Sequence, residues 1–497
     1  MKQALFILGV ILCSFSFAQQ LDLPLDSAVV TNHTGMFNGS KIAYTATTGT
    51  QPVWNDTGKV VASLFYAYYE KSEVADKSER PLLISFNGGP GSASVWMHLA
   101  YTGPKLINID DEGYPVQPYG IKDNPYSLLD VADIVYVNPV NTGYSRTEPM
   151  GGKSVKRDQF FGINADIKYL AEWLNTFVTR NDRWLSPKFL IGESYGGTRV
   201  SGLAHELQNK QWMYLNGVIL VSPADYKIFE SDRPLTTALN FPYLTATAWY
   251  HQKLKDPFQS KSLEEVLEQS EHFALHTLMP ALSKGGFIDQ DFKESLAQTM
   301  SDLTGISKES ILQQNLIISN SFFWKELLRD SDGKTIGRLD SRYLGIDYSD
   351  VGDSPDYNPE LKSWLHSFTP AINYYLRNVL NYKTDLKYNM FGDVHPWDKE
   401  KNNTRDNLRQ AMAENPYLNV MFQTGYYDGA TTYFMSKYTM WQIDPGGKLR
   451  DRFTFKGYES GHMMYLRKED LKTSTEDLRA FILKSCNTGE AAKYYRE

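Results

Sequence analysis

Short runs of apolar, β-prone residues alternate along the chain with longer stretches in which apolar residues recur at helical spacing. Runs bounded by turn residues predict buried strands, and the spaced pattern predicts helices with one apolar face. The predicted strands are Val60–Tyr68, Pro81–Phe86, Asp133–Asn138, Lys188–Gly192, Leu215–Ser222, Asn419–Gln423 and Arg452–Phe455. The predicted helices are Ile163–Phe177, Gly197–Gln208, Thr431–Trp441 and Leu471–Leu483. We therefore expect an α/β fold in which helices cover both faces of a mostly parallel sheet.

This alternation stops between residues 225 and 387. The spacing there predicts helices, and no clearly buried strand, at Ser262–Leu282, Gln290–Leu303 and Pro359–Leu380. Two interpretations are open: a separate helical domain, or a cap inserted over one end of the sheet. Because strands resume after residue 387, we favour the cap. We expect residues 19–224 and 388–497 to form the sheet domain and 225–387 the mainly helical cap.

The N-terminus has the pattern of a secretory signal peptide. One lysine precedes an apolar run over residues 4–17, and Ser16-Phe17-Ala18 is a small-x-small cleavage site. We expect cleavage after Ala18 and export to the periplasm, the cell envelope or the outside of the cell. A buried N-terminal helix is one alternative. A lipid anchor at Cys13 is another, although Leu12 before it is bulkier than such processing is expected to need.

Composition and charge exclude several classes of protein. The 497 residues are 42% hydrophobic and 22% charged, which is ordinary for a globular chain and excludes disorder or coiled coil as a description of the whole. The net charge is −7 and no basic block is present, so nucleic acid is not an expected partner. No later segment is apolar over the length of a membrane span. Without residues 1–18 only Cys486 is left, so no intramolecular disulfide is expected.

A serine nucleophile is predicted where the strand ending at Gly192 meets a helix. The sequence Gly192-Glu193-Ser194-Tyr195-Gly196 is a Gly-x-Ser-x-Gly motif in the strand–turn–helix context that a nucleophile elbow requires. In chains with such an elbow an acid and then a histidine follow the serine, beyond the ends of later strands. Asp428 and His462 fit this order and placement. They are the predicted orienting acid and general base for Ser194.

Other histidines compete with His462 for the role of base. His98 and His395 are two of them, and an aspartate before glycine, such as Asp428, is also a common turn residue. His272 and His276 have the i, i+4 spacing of a metal pair, but no carboxylate pattern completes a ligand set. We therefore expect neither a metal nor an organic cofactor.

An oxyanion-binding site is predicted from two backbone segments. One donor is expected from the residue after the nucleophile, Tyr195, and the other from a glycine loop after an earlier strand. The segment Asn87-Gly88-Gly89-Pro90-Gly91-Ser92 is such a loop. It lacks the Gly-Lys-Ser/Thr ending of a phosphate-binding loop, and a plain tight turn is the alternative.

Together these motifs resemble the serine carboxypeptidase family. The resemblance covers roughly residues 55–225 and 415–484. It is carried, in the family's order, by Asn87–Ser92, Asn124-Pro125-Tyr126-Ser127, Asn138–Ser145, Gly192–Gly197 and Gly461-His462-Met463. The cap matches only in position and helical character.

The resemblance implies roles for further residues. Ser194, Asp428 and His462 align with the family's catalytic triad, and Gly89 and Tyr195 with its oxyanion-hole donors. Asn87 and Glu193 align with residues that hydrogen-bond the C-terminal carboxylate of the substrate in that family.

This chain departs from the family pattern in three places. Tyr101 stands where better-known members have a second carboxylate-binding glutamate, Asn138 replaces a common aspartate, and the usual disulfides are absent. The change at Tyr101 puts the strictness of C-terminal recognition in question.

The sequence as a whole therefore predicts an exported serine-type carboxypeptidase on an α/β-hydrolase fold. Its expected substrates are the C-termini of peptides or proteins, cleaved through an acyl-enzyme. An esterase or acyltransferase on the same framework is the close alternative, and a catalytically silent binding protein is the alternative from another class. The preferred side chains and the oligomeric state are left open by the sequence.

Overall fold

A computed structural model describes residues 24–148, 150 and 156–486, together with the single residues 489 and 491. The predicted signal peptide, residues 1–18, and Cys13 within it lie outside this range. In the part that is described, no helix is both long enough and apolar enough to cross a membrane.

The centre of the molecule is a ten-stranded sheet. Its strands in chain order are β1 Ser27–Phe37, β2 Ser40–Trp54, β3 Val60–Lys71, β4 Leu82–Phe86, β5 Asp133–Val137, β6 Arg146–Thr147, β7 Lys188–Glu193, β8 Gly217–Val221, β9 Asn419–Gly425 and β10 Phe453–Tyr458. They lie in the order β1-β2-β3-β5-β4-β7-β8-β9-β10, and β6 pairs with β3. The neighbours from β5 to β10 are parallel, whereas β1, β2, β3 and β5 pair antiparallel. The prediction of a mostly parallel sheet is confirmed.

The α-helices of the described residues either cover the two faces of this sheet or belong to segment 225–387. In chain order they are α1 Val95–Ala100, α2 Ile163–Arg180, α3 Tyr195–Lys210, α4 Tyr226–Phe229, α5 Arg233–Tyr250, α6 Leu263–Phe273, α7 Met279–Leu282, α8 Gln290–Thr304, α9 Lys308–Gln313, α10 Asn320–Glu326, α11 Arg329–Asp332, α12 Pro359–Tyr374, α13 Thr404–Glu414, α14 Tyr433–Ile443 and α15 Lys468–Ser485. Side chains of α1, α12 and α15 form one apolar core with the sheet, and α2, α3 and α13 form a second. Alternate residues of β7 enter opposite cores, Phe189 the first and Leu190 the second, as the two-residue period of a strand requires.

The segment 225–387 lies between β8 and β9 and contains α4 to α12. Most of its apolar side chains form a third core, which continues into α14. Two one-turn π-helical segments, Ala274–Leu278 and Tyr375–Val379, extend α6 and α12, so the predicted helices Ser262–Leu282 and Pro359–Leu380 each correspond to a nearly continuous helix.

This segment also contains what its sequence pattern did not predict. A two-residue strand pair, Thr335–Ile336 with Leu344–Gly345, stands where no buried strand was expected. Helix α5 was missed because Pro242 interrupts its pattern, although the helix runs through that proline.

The predicted strands and helices of the sheet domain are all present, with ends that move by one to three residues. Strands β1 and β2, which form an antiparallel hairpin at one edge of the sheet, were not predicted. Many β1 residues are exposed and polar, so this strand lacks the apolar run by which the buried strands were found.

Candidate active site

Ser194 occupies a sharp turn between β7 and α3. Its backbone has φ 59° and ψ −124°, a conformation that L-residues rarely adopt. A Cβ atom on Gly192 would lie 2.1 Å from the carbonyl oxygen of Gly196, so the turn can close only with glycine there. The Ser194 N–H donates to the Val221 carbonyl at 2.9 Å, which ties the turn to the end of β8. These are the features of a nucleophile elbow.

Asp428 and His462 come together beside this turn. They follow β9 and β10, and because parallel strands end at the same edge, both residues reach the edge where Ser194 lies. His462 Nδ1 lies 2.7 Å from Asp428 Oδ2, and both side chains are buried. Burial lowers the pKa of the His462 imidazole, but the Asp428 charge and this hydrogen bond outweigh burial and raise that pKa overall.

Two hydroxyl residues that the sequence analysis did not single out hold this pair. Thr431 Oγ1 lies 2.7 Å from Asp428 Oδ2 and 3.1 Å from His462 Nδ1, and the Thr431 N–H donates to Asp428 Oδ1 at 3.1 Å. The Ser222 hydroxyl donates to the His462 carbonyl at 2.8 Å. The carboxylate therefore has further donors and its orientation is fixed.

The backbone of the predicted oxyanion site is free to bind a ligand. Gly89 has φ +104°, a value that favours glycine. A Cβ on Gly88 would lie 2.6 Å from the Tyr195 nitrogen, so the glycine loop packs directly against the elbow. Neither the Gly89 N–H nor the Tyr195 N–H has a hydrogen-bond acceptor within the described residues. Two such donors near Ser194 are suited to stabilise an oxyanion.

Glu193 presents a buried carboxyl group at the same cleft. Asn87 Nδ2 donates to its Oε1 at 3.1 Å, and the Tyr465 hydroxyl donates to its Oε2. Burial raises the pKa of Glu193 to about 7. The charge of His462 and these two hydrogen bonds lower that pKa, but by less than burial raises it. Near neutral pH this group can be a protonated acid that donates a hydrogen bond to an anion.

Tyr101, which replaces the expected second glutamate, contributes indirectly. Its ring stacks on that of Tyr465 with centroids 4.5 Å apart and planes 11° apart. Its hydroxyl donates to Gln423 Oε1 at 2.7 Å, and its side chain is fully buried. Tyr101 therefore supports the residue that bonds to Glu193.

A buried ion pair lies beneath the elbow. Arg199 Nε and Asp166 Oδ2 are 2.7 Å apart, and Arg199 Nη1 donates to the Asn87 carbonyl at 2.6 Å. The hydroxyl of Tyr195 donates to Asp166 Oδ2 at 3.1 Å. The side chain of Tyr195 thus points into the core, while its backbone N–H stays near Ser194. Asn138 replaces a common aspartate nearby, and its Oδ1 accepts the Ser94 N–H at 2.8 Å, where α1 begins.

These groups border one cleft of about 500 Å³. Of the seven predicted site residues, Gly89, Glu193, Ser194 and His462 line it. The other three stand directly behind, since Asp428 bonds to His462, Asn87 bonds to Glu193, and Tyr195 follows Ser194. Most of the remaining wall is apolar or aromatic and includes Trp96, Tyr226, Phe229, Leu361, Trp364, Phe391 and Met463.

The segment 337–342, which we call the 337–342 loop, closes this cleft from the side of the inserted segment. The His462 N–H donates to the Leu339 carbonyl at 2.6 Å, the Gly429 N–H to the Arg338 carbonyl at 3.0 Å, and the Ser341 N–H to the Tyr427 carbonyl at 3.0 Å. The loops that carry His462 and Asp428 are both bonded to it. No motif marks this loop in the sequence, because its role depends on distant chain segments.

The competing histidines lie elsewhere. His98 is buried, its ring stacks on Tyr136 with centroids 4.3 Å apart, and burial lowers its pKa to about 3. His395 is exposed. The rings of His272 and His276 lie 4.4 Å apart, but nowhere in the described ranges do three His, Cys, Asp or Glu side chains gather as a metal site would need. Cys486 is a free thiol whose pKa burial raises to about 11.

Comparison with known proteins relates this chain to a family. Serine carboxypeptidase-like 8 of Arabidopsis thaliana is 28% identical over 176 residues, which cover 34% of this chain and 38% of the relative. Serine carboxypeptidase-like 16 of the same plant is 30% identical over 182 residues, which cover 34% and 39%. The chain thus matches little more than a third of the length of these curated relatives.

Structural comparison covers more of the chain. The structure of Kex1(Δ)p, a prohormone-processing carboxypeptidase from Saccharomyces cerevisiae, aligns with a TM-score of 0.53 at 14% identity, over 89% of this chain and 92% of that one. This likeness shows a shared fold, and the predicted α/β-hydrolase class is confirmed. The family model described as "Serine carboxypeptidase" matches residues 54–441. Because that match exceeds half of the chain, the protein belongs to the serine carboxypeptidase family.

Proposed function

We propose that this protein is a serine-type carboxypeptidase that removes residues from the C-termini of peptides. One observation carries the proposal. A serine in an elbow, a buried His462–Asp428 pair and the buried acid Glu193 all meet at one cleft. Ser194, His462 and Asp428 are suited to acyl transfer, and Glu193 is suited to bind a free carboxylate.

In the proposed mechanism Ser194 Oγ attacks the carbonyl carbon of the last peptide bond while His462 accepts its proton. The Gly89 and Tyr195 N–H groups, which have no acceptor in the described part of the chain, stabilise the oxyanion. His462 then protonates the departing amine and an acyl-enzyme results. A water molecule hydrolyses it by the reverse sequence. Asp428 holds the imidazole in the tautomer that leaves Nε2 free to accept, and offsets its positive charge.

Recognition of the chain end is assigned to Glu193, with Asn87 beside it. A protonated Glu193 donates to the terminal carboxylate, whereas an ionised Glu193 would repel it. The pKa of about 7 keeps the protonated form available in mildly acidic and neutral solution. Asn87 is fully buried and holds Glu193 in this structure, so direct contact of Asn87 with substrate stays a prediction.

Labelling with a fluorophosphonate, followed by peptide digestion, tests this proposal. We expect the native protein to be labelled and Ser194→Ala not to be. We expect mass spectra of a digested peptide library to show loss of C-terminal residues from free-acid peptides and little loss from amidated ones. Labelling without end-directed cleavage would favour an esterase or acyltransferase, and no labelling would favour a binding protein.

Two further proposals concern organisation and location. We propose that residues 225–387 act as a cap over the sheet domain, because helices of this segment and the 337–342 loop border the cleft. We also propose that the protein is exported through a signal peptide at residues 1–18. This second proposal rests on the sequence pattern alone.

A further inference from the structure

Among the described residues that line the cleft, Arg338 is the one with a permanent positive charge. Its side chain is exposed there, and no carboxylate in the described part of the chain lies within ion-pair distance of it. Arg342 on the same loop differs. It is buried, and its Nη2 lies 2.7 Å from Asp340 Oδ2. The 337–342 loop therefore carries one arginine that is paired with Asp340 and one that lines the cleft and has no counter-ion among the described residues.

The backbone of Arg338 is held on both sides. Its carbonyl accepts the Gly429 N–H at 3.0 Å. The next residue, Leu339, donates its N–H to Glu360 Oε1 at 2.8 Å and accepts the His462 N–H at 2.6 Å. Arg338, which is among the residues that line the cleft, thus has a fixed backbone next to the loops of Asp428 and His462, and its charge opposes protonation of His462. A fixed anchor reduces the entropy that a binding side chain loses.

The surroundings favour an anion as the partner of this charge. Among the described residues that line the cleft, Glu193 is the only one with an acidic side chain, and in the proposed function it binds the substrate's chain end. Much of the rest of the wall is apolar or aromatic, so a charge in the occupied cleft is poorly screened by water. An arginine in such a place binds a carboxylate through two parallel N–H donors.

We propose that Arg338 is a substrate-recognition residue that binds an acidic side chain of one of the two residues flanking the scissile bond. The substrates preferred by this enzyme are then peptides with Asp or Glu near the C-terminus. The inference rests on the proposed carboxypeptidase function and adds a second carboxylate site to it, separate from the Glu193 site for the terminal carboxylate.

Matched peptide pairs test this inference. One pair is N-acyl-Glu-Phe and N-acyl-Gln-Phe, with the acid on the acyl side, and the other is N-acyl-Phe-Glu and N-acyl-Phe-Gln, with the acid on the leaving side. We expect native enzyme to have a higher kcat/KM for the Glu member of one pair. In Arg338→Met that Glu/Gln ratio should fall about tenfold, the effect of one lost charge-assisted hydrogen bond. Arg338→Lys should retain part of the preference.

The matched control is Lys362→Met, which removes an exposed positive charge close to Leu361 but outside the cleft lining. It should leave both ratios as in the native enzyme. An unchanged ratio in Arg338→Met for both pairs overturns the inference. So does an equal loss for Glu and Gln peptides that disappears when the C-terminus is amidated, because Arg338 would then bind the chain end.

Binding measurements separate this inference from the proposed function. The same peptides are titrated calorimetrically into Ser194→Ala, with and without Arg338→Met. If native protein cleaves none of the peptides, the carboxypeptidase proposal fails, but a Glu/Gln affinity ratio that depends on Arg338 still supports the recognition site. Equal affinity for the Glu and Gln members, or no binding of either, overturns it.

Discussion

The hydroxyl of Tyr465 donates a hydrogen bond to Oε2 of Glu193. This bond stabilises the ionised form of the carboxyl group and therefore opposes the rise of its pKa caused by burial. The ring of Tyr101, which stands where the family resemblance implies a second glutamate, stacks on the ring of Tyr465 and supports this hydrogen bond.

Tyr465→Phe should raise the pKa of Glu193, because the donor to the charged form is lost. The KM for free-acid peptides should then begin to rise at a higher pH than in native enzyme, by about one pH unit. Tyr101→Phe is the control, since it keeps the stacked ring and removes only a hydroxyl bonded to Gln423. The measurement is KM as a function of pH for both variants. A shift of equal size in both would show that the Tyr465 hydrogen bond is not what lowers the pKa of Glu193.

Glu193→Gln should flatten the pH dependence of substrate binding. In native enzyme the protonated fraction of Glu193 falls as pH rises through about 7, so KM for free-acid peptides should increase by up to about tenfold per pH unit above that value. The glutamine amide does not titrate, and amidated peptides have no terminal charge. We therefore expect KM not to rise with pH in Glu193→Gln, nor for amidated peptides in the native enzyme. Identical profiles for free-acid and amidated peptides in the native enzyme would contradict carboxylate recognition by Glu193.

Asp428→Asn should lower kcat by roughly 10⁴-fold, because an amide in this position favours the wrong imidazole tautomer. Thr431→Val leaves the Asp428 carboxylate and its backbone donors in place. It should lower kcat about tenfold, the effect of one lost hydrogen bond to a charged group. Single-turnover rates on one peptide compare the two variants. Near-native turnover in Asp428→Asn would mean that another group orients His462.

Gly89→Ala should reduce turnover more than stability. A side chain at φ +104° is strained and its Cβ would lie 2.8 Å from the Gly91 and Ser92 nitrogens, so the loop must shift and the Gly89 N–H with it. Loss of one oxyanion donor lowers kcat by about 10²–10³-fold. Gly120→Ala is the control, because a Cβ there meets nothing within 4 Å. If kcat falls only in proportion to the unfolding midpoint, the loop has a structural role alone.

Glu360→Gln should stabilise the protein at high pH only. The carboxyl is fully buried, its Oε2 has no partner in the described residues, and burial raises its pKa to about 7. An unfolded chain releases this proton near pH 4.3, so native stability falls between about pH 4 and 7 by roughly 3–4 kcal/mol, and most of the loss is reached above pH 7. Urea unfolding at pH 4 and pH 8 measures the difference. Exposed Glu268→Gln is the control, and an equal gain for Glu360→Gln at both pH values would contradict this reasoning.

Those parts of the proposed site that depend on local pattern could be predicted from the sequence. Ser194 could be found because its strand, turn and helix are contiguous, and Asp428 and His462 because each follows a buried strand that must end at the same edge. Tyr465 and Thr431 lie three residues from His462 and Asp428, but nothing in their spacing shows which way their hydroxyl groups point. Their contacts are set by packing between distant segments.

The 337–342 loop was beyond prediction for the same reason. Arg338 precedes His462 by 124 residues, and the inserted segment in which it lies has a helical pattern with no link to the sheet. The hairpin of β1 and β2 was missed on other grounds. Its residues are too polar to give a buried-strand pattern, although backbone pairing alone is enough to hold them at the sheet edge.

The bonds between the 337–342 loop and the loops that carry His462 and Asp428 limit how the enzyme can be re-engineered or can diverge. A chimaera that received the whole inserted segment of a relative would lose the carbonyl partners of the His462 and Gly429 amides unless the graft reproduced them. Under the proposed function, the residues that set substrate preference and those that set catalytic geometry therefore cannot be exchanged independently in this protein. Exchanges that spare the loop backbone, and replace only side chains such as that of Arg338, are the ones expected to alter selectivity while the proposed triad stays aligned.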